Sequence, residues 1–426
     1  MISGRSGLKS LIPQIKRFRQ DTQMTPNITT YSPSVGLKEF IALVASMTAL
    51  VALSIDAMLP ALPSIALDLD LPEKNDAQLV IAFIFIGMAI GPVWFGPLSD
   101  SIGRKKAIYI GFVLFAIGSL MAWYSQTFEW LLAGRVIQGL GVSGPRIVAM
   151  AMVRDCFKGN EMARVMSFVT AVFIIVPALA PSIGHLVVEV SSWRHIFLLF
   201  LVVTLVIWGW LSIRQKETLD PELERPFRLS VVIESGLAVL SIKKTRYFTI
   251  ATGLVFGCFM GYLNSSQQLF QDIYGVGDKF PFYFAILALG FGGSSLLNAK
   301  LVMRFGMHFL AQRAVLILML LSYVFLALSL FYQGVPPFMS FLAFAMFSFM
   351  FVAITFGNLN AMAMEPVGHV AGMGAAFIST VSTLIALPIG IYVGQAFDQT
   401  ILPVIIGFAL CSTLAWLIIF YADRNV

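Results

Sequence analysis

The chain holds 426 residues, 58% of them hydrophobic and 12% charged, with a mean hydropathy of +0.86. Soluble domains carry about 25% charged residues, so a water-soluble globular class is excluded and an integral membrane protein is indicated. The formal charge of +6 would suit a nucleic-acid binder, but the placement of the charges assigns them to topology and sets nucleic acid aside.

Residues 1–36 form a polar tail with Arg5, Lys9, Lys16, Arg17 and Arg19. No cleaved signal is expected, because the first apolar run is long enough to span the membrane itself. Crossing the hydrocarbon takes about 20 apolar residues. Twelve runs of that kind are predicted, at 40–63, 77–98, 106–125, 129–152, 165–188, 195–213, 247–270, 281–302, 313–332, 337–362, 372–395 and 401–421. Barrel strands would be about ten residues long and strictly alternating, so all twelve read as helices. With the N-terminus inside, 23 of the 28 Lys and Arg residues fall in inner segments, and only Lys74, Arg194 and Lys279 in outer ones. That bias follows the positive-inside rule and puts both termini in the cytoplasm. The Asn27-Ile28-Thr29 sequon then lies inside and is accidental. Cys156, Cys258 and Cys411 are scattered and suggest neither a disulfide framework nor a metal site.

The charged segment 214–246 splits the runs six and six. The expected fold is an all-α membrane protein of 12 transmembrane helices in two pseudo-symmetric six-helix bundles. The bundles cover 37–213 and 247–421, joined by the cytoplasmic linker 214–246, with a short tail at 422–426. Transporters on this plan bind substrate between the halves. A faint repeat supports duplication: the turn Asn298 to Gly306 after run 8 echoes the turn Gly96 to Lys106 after run 2, without its Asp.

That second turn carries Gly96, Leu98, Ser99, Asp100, Gly103, Arg104 and Lys105. It resembles the G-x-L-[AS]-D-x-x-G-R-K/R signature of the major facilitator superfamily. Arg135-Val136-Ile137-Gln138-Gly139-Leu140-Gly141 is similar to that superfamily's R-x-x-Q-G-x-G motif in helix 4. Pro177, Pro181 and Gly184 resemble the helix 5 signature of its drug:proton antiporters. Asp56 to Pro63, Trp193-Arg194, Phe270 to Gly275 and Glu365 to Gly372 are similar to the bacterial Bcr/CflA drug-resistance branch. The resemblance covers about 40–421. It implies that Gly96, Asp100, Gly103 and Arg104 form a conformational latch for the outward-facing state.

Among 22 acidic residues, only Asp56 lies clearly within a run. Intramembrane ionisable groups are costly and by default functional, so Asp56 is the candidate proton carrier; a wetted bystander is the bland reading. Arg135 is its expected partner. Both residues lie about 9–11 Å below the outer ends of their helices at 1.5 Å rise per residue. The rival reading of Arg135 is structural, with its guanidinium held by backbone carbonyls and Gln138. Arg146, three turns deeper on the same face, reads either as a cavity cation favouring anionic or zwitterionic substrates or as a side chain snorkelling to the interface. Asn264, Gln268, Asn358 and Asn360 are candidates to line a substrate cavity together with Gln138 and Arg146. Pro177, Pro181 and Gly184 mark a bent or closely packed helix. His185 beside them reads as a wet bystander. Asp100 is expected to face a neighbouring helix N-terminus, and Arg104 to pair with Asp155.

No phosphate-binding loop and no H-E-x-x-H motif occurs. The expectation is therefore a non-enzymatic monomer that uses the proton gradient, without a cofactor or metal, in lipid of the bacterial inner membrane. It would export small, mostly apolar drug-like molecules by alternating access. A dedicated transporter of one metabolite on the same fold remains an alternative. A non-transporting sensor or membrane enzyme is a remote one.

Overall fold

The computed structural model describes residues 33–224 and 226–425. Most of the N-terminal tail, with its five basic residues and the sequon, lies outside the described residues. Among the described residues, twelve helices are long and apolar enough to cross a membrane. The first bundle comprises α1 (Leu37–Asp56, continued by Leu59–Ala61 and Leu62–Asp68), α2 (Leu79–Ile102), α3 (Arg104–Trp123), α4 (Phe128–Cys156), α5 (Gly159–Val190) and α6 (Arg194–Arg214). The second comprises α7 (Lys243–Gln268), α8 (Phe280–Phe305), α9 (Met307–Phe331), α10 (Phe338–Met364), α11 (Ala371–Gln395) and α12 (Leu402–Asn425). A shorter apolar helix, Leu229–Ser241, lies in the linker.

The membrane-facing surface is written in helical spacing. On α3, Ile110, Val113, Ile117 and Leu120 are exposed, at steps of three and four residues. The opposite face buries Ala107, Gly111, Phe115, Gly118 and Ala122. Small residues on that face let backbones approach, which is how helices associate where burial from water gives no drive. α4 is the extreme case: a Cβ on Gly139 would lie 1.9 Å from the Ile84 carbonyl oxygen of α2, and one on Gly141 would lie 2.3 Å from Phe115 N of α3.

Duplication is visible in the backbone. Gly103, between α2 and α3, has φ 95° and ψ 157°; Gly306, between α8 and α9, has φ 79° and ψ 156°. Both dihedral pairs suit glycine alone. Loops alternate between two ends of the molecule, named here the Arg104 end and the Lys74 end. The bundles meet where α2 packs on α11 and α5 packs on α8.

Candidate functional site

The site begins at a break in α1. Pro60 has no N–H to return to the Asp56 carbonyl, and Pro63 has none for Leu59. The α-helix stops at Asp56 and the chain tightens into a 3-10 turn, Leu59–Ala61. Asp56 therefore stands at a helix end deep in the protein, 6% exposed. Gly184 of α5 presses on this break: a Cβ there would lie 1.9 Å from the Ala57 carbonyl oxygen. Pro177 and Pro181 lie about two turns and one turn before it, within a helix that continues through them.

The expected Asp56–Arg135 ion pair is not formed. Arg135, fully buried, donates to the Val80 carbonyl from Nε (2.9 Å), to Gln138 Oε1 (2.9 Å) and to the Ser54 carbonyl (2.9 Å). The reason is competition: two backbone carbonyls and an amide at one depth satisfy the planar fork. Depth along the helices was a sound guide, since Arg135 reaches α1 two residues before Asp56. It could not say which atom would accept. Gln138 belongs to the same knot, fully buried and donating to Ser119 Oγ at 2.8 Å.

The other amides also separate. Gln268 donates to Asn75 Oδ1 at 2.7 Å. Asn264 donates to the Gly390 carbonyl at 2.9 Å and so ties α7 to α11. Asn358 is 2% exposed and bonds Asn298 Oδ1 at 2.8 Å. Asn360 is half-buried; two residues turn a helix about 200°, so it does not share a face with Asn358. Arg146 is exposed, ten residues before the end of α4.

At the Lys74 end the bundles are clasped. Asn75 donates to the Gln395 and Phe397 carbonyls (3.1 and 2.9 Å), and Gln395 Nε2 returns a bond to the Asn75 carbonyl (2.8 Å). His185 faces Asp278 across the bundles at 3.8 Å. At mid-depth Thr380 Oγ1 donates to the Ala89 carbonyl at 2.7 Å.

At the Arg104 end, Arg104 pairs with Asp100 one turn before it and with Asp155 of α4 at 2.9 Å. Its Nη1 also reaches Ser99 Oγ at 2.8 Å. The sequence expectation that Asp100 faces a helix N-terminus is not met; its carboxylate pairs with Arg104. That position belongs to Glu217 of the linker, whose carboxylate accepts from Arg104 N (2.9 Å) and Lys105 N (3.0 Å) at the start of α3. Gly96 lies against open space, and Gly103 lies against Glu217. Neither Glu217 nor Asn75 carries a sequence signal: both stand in polar connections without periodicity.

Comparison with known proteins agrees with this architecture. The Major Facilitator Superfamily profile matches residues 44–391. The bicyclomycin resistance protein homolog of Haemophilus influenzae is 26% identical over 392 residues, covering 91% of this chain and 97% of its own. The multidrug resistance protein MdtL of Salmonella heidelberg is 29% identical over 244 residues, 56% of this chain and 60% of its own. In fold, the crystal structure of a D-xylose–proton symporter superposes with a TM-score of 0.70 at 15% identity, covering 92% of this chain and 98% of that one. With twelve spans in two bundles, the signature turn and a profile match over most of its length, the chain belongs to the Major Facilitator Superfamily.

Proposed function

We propose that this chain is a proton-coupled exporter of small, mostly apolar drug-like molecules, working by alternating access. The observation that carries the reading is Asp56: a buried carboxylate at a helix break which, among the described residues, has no ion-pair partner. A group in that setting is free to change protonation as access alternates. The names of the two resistance-protein relatives support drug export. The bias of Lys and Arg supports assigning the Arg104 end to the cytoplasm of a bacterial inner membrane, with both termini inside. The clasp at the Lys74 end then makes this an outward-closed state. The cycle needs no cofactor beyond the proton gradient, and the monomer contains both bundles.

The energetics suffice. One charge crossing about 100 mV releases roughly 2.3 kcal/mol, and one pH unit adds about 1.4 kcal/mol. Exchange of one proton for one neutral molecule sustains a gradient of about several hundredfold. The test is Asp56→Asn in proteoliposomes under an imposed pH gradient: uphill transport is lost while downhill exchange persists. Undiminished uphill transport refutes Asp56 as the coupling group.

A second reading, a dedicated exporter or importer of one metabolite such as a sugar, siderophore or amino-acid derivative, is favoured by Arg146, an exposed cation within α4. Susceptibility profiling in a pump-deleted host separates the two. Resistance to several unrelated compounds supports drug export; resistance to none supports the dedicated transporter.

A further inference from the structure

A cavity of about 210 Å³ lies between the bundles at the Lys74 end. The tail of α1, the turn Lys74–Gln78 and the far end of α7 line it. Its charged lining groups are Lys74, from the first bundle, and Asp272, from the second. Both residues are exposed, and among the described residues neither forms an ion pair. Two amides share the lining, Gln78 and Gln268, only 3% and 4% exposed. Gln268 uses its NH2 on Asn75 and leaves Oε1 without a protein partner. Gln78 leaves both Oε1 and Nε2 without one. Buried polar groups left this way are costly, and native proteins meet them with ordered water or a ligand.

These four groups form two pairs, each four residues apart. Lys74 and Gln78 begin and end the 3-10 turn before α2. Gln268 ends α7, and Asp272 stands in the π turn that follows. The pairs differ in chemistry. The Lys74 ammonium only donates, and the free Gln78 head adds two more N–H donors. The Asp272 carboxylate and the open Gln268 oxygen only accept. The wall from the first bundle therefore suits a carboxylate, and the wall from the second suits an ammonium. Leu62, Ala66 and Leu71 give the cavity an apolar side. A water takes about 30 Å³ of liquid, so the volume equals about seven waters. That is below the roughly 300 Å³ at which drug-sized pockets begin.

We propose that this cavity binds a small zwitterion of the α-amino-acid class, with its carboxylate on Lys74 and Gln78 and its ammonium on Asp272 and Gln268. A lone anion or a lone cation meets one wall only. A zwitterion meets both, and so joins the two bundles beside the Asn75 clasp. The inference goes beyond the export reading and does not depend on it, since neither Asp56 nor Arg146 lines the cavity.

Saturation-transfer NMR on the full chain in nanodiscs tests this, with L-valine as the probe. Saturable transfer to the valine methyl signals is expected. Isovalerate, which lacks the ammonium, and isobutylamine, which lacks the carboxylate, are each expected to bind about tenfold more weakly. Lys74→Gln and Asp272→Asn are each expected to weaken valine binding about tenfold; both positions are exposed, so folding is not at stake. Arg146→Gln is expected to leave valine binding unchanged. No saturable transfer at millimolar valine overturns the site and leaves the cavity to water. Full binding in both Lys74→Gln and Asp272→Asn overturns it, as does equal binding of the singly charged analogues. Valine binding that is lost in Arg146→Gln and kept in the other two variants marks valine as cargo, and overturns the site too. None of these measurements involves a proton gradient, so failure of the site and failure of Asp56 as the coupling group are told apart.

Discussion

Arg135 shows how a charge is kept in a membrane protein without a counter-charge. Three acceptors from α1, α2 and its own helix meet its guanidinium, and Phe197 lies 6.0 Å from its carbon. Lysine is a point donor on a flexible stem and cannot hold that fork. Arg135→Lys leaves at least one buried acceptor unmet, at about 1–3 kcal/mol each. The apparent melting temperature in detergent should fall by several degrees, and an unchanged value would show that the knot adds nothing. At this scale the charged positions were legible in the sequence, since charge in an apolar run is conspicuous. It could not assign partners, because backbone carbonyls freed by Pro60 or lent by neighbouring helices have no letter in the sequence.

The element that best repays attention is the start of α3. Its first amides point at the Glu217 carboxylate, where a negative charge also meets the positive end of the helix dipole. Glu217 further accepts from Thr218 N and Leu219 N, and Thr218 Oγ1 donates to Asp155, so linker, turn and α4 are one unit. In the second bundle the matching place at the start of α9 holds His308 on Asp423 at 2.9 Å. If the unit is a latch, Asp100→Asn and Glu217→Gln should each slow turnover while leaving substrate affinity nearly unchanged. Rates from counterflow and affinities from equilibrium binding would separate these effects. Lost affinity with normal turnover would contradict it. Arg104 and Asp100 were legible as a charged turn between apolar runs. Glu217 was not, being one of several acids in a linker.

At the scale of the whole molecule, most of the architecture was readable. Span length and composition fix the number of crossings, and Gly103 and Gly306 repeat the same rare backbone geometry in each bundle. The meeting of the halves was not readable. The clasp of Asn75 with Gln395, Phe397 and Gln268 joins the connection before α2 to the ends of α7 and α11, some 190 to 320 positions away. Amides in loops are too common to single out. Of the expected cavity amides, Gln268 joins this clasp, while Asn264 and Asn358 bond partners within the second bundle.

The linker is attached to both bundles. Its beginning is fastened to the first, through Lys216 N on Ser34 Oγ, Glu217 on α3 and a buried Leu219. Its helix lies on the second, with Gly236 seated against Phe377, and Phe227 still reaches back to Trp94 at 5.4 Å. Covalent continuity between these two attachments is therefore expected to be dispensable for assembly. Separate expression of residues 1–224 and 225–426 in one cell should yield fragments that co-purify and restore export by complementation. Fragments that fail to associate would mean that the peptide tether, not the packed surfaces, holds the halves in register.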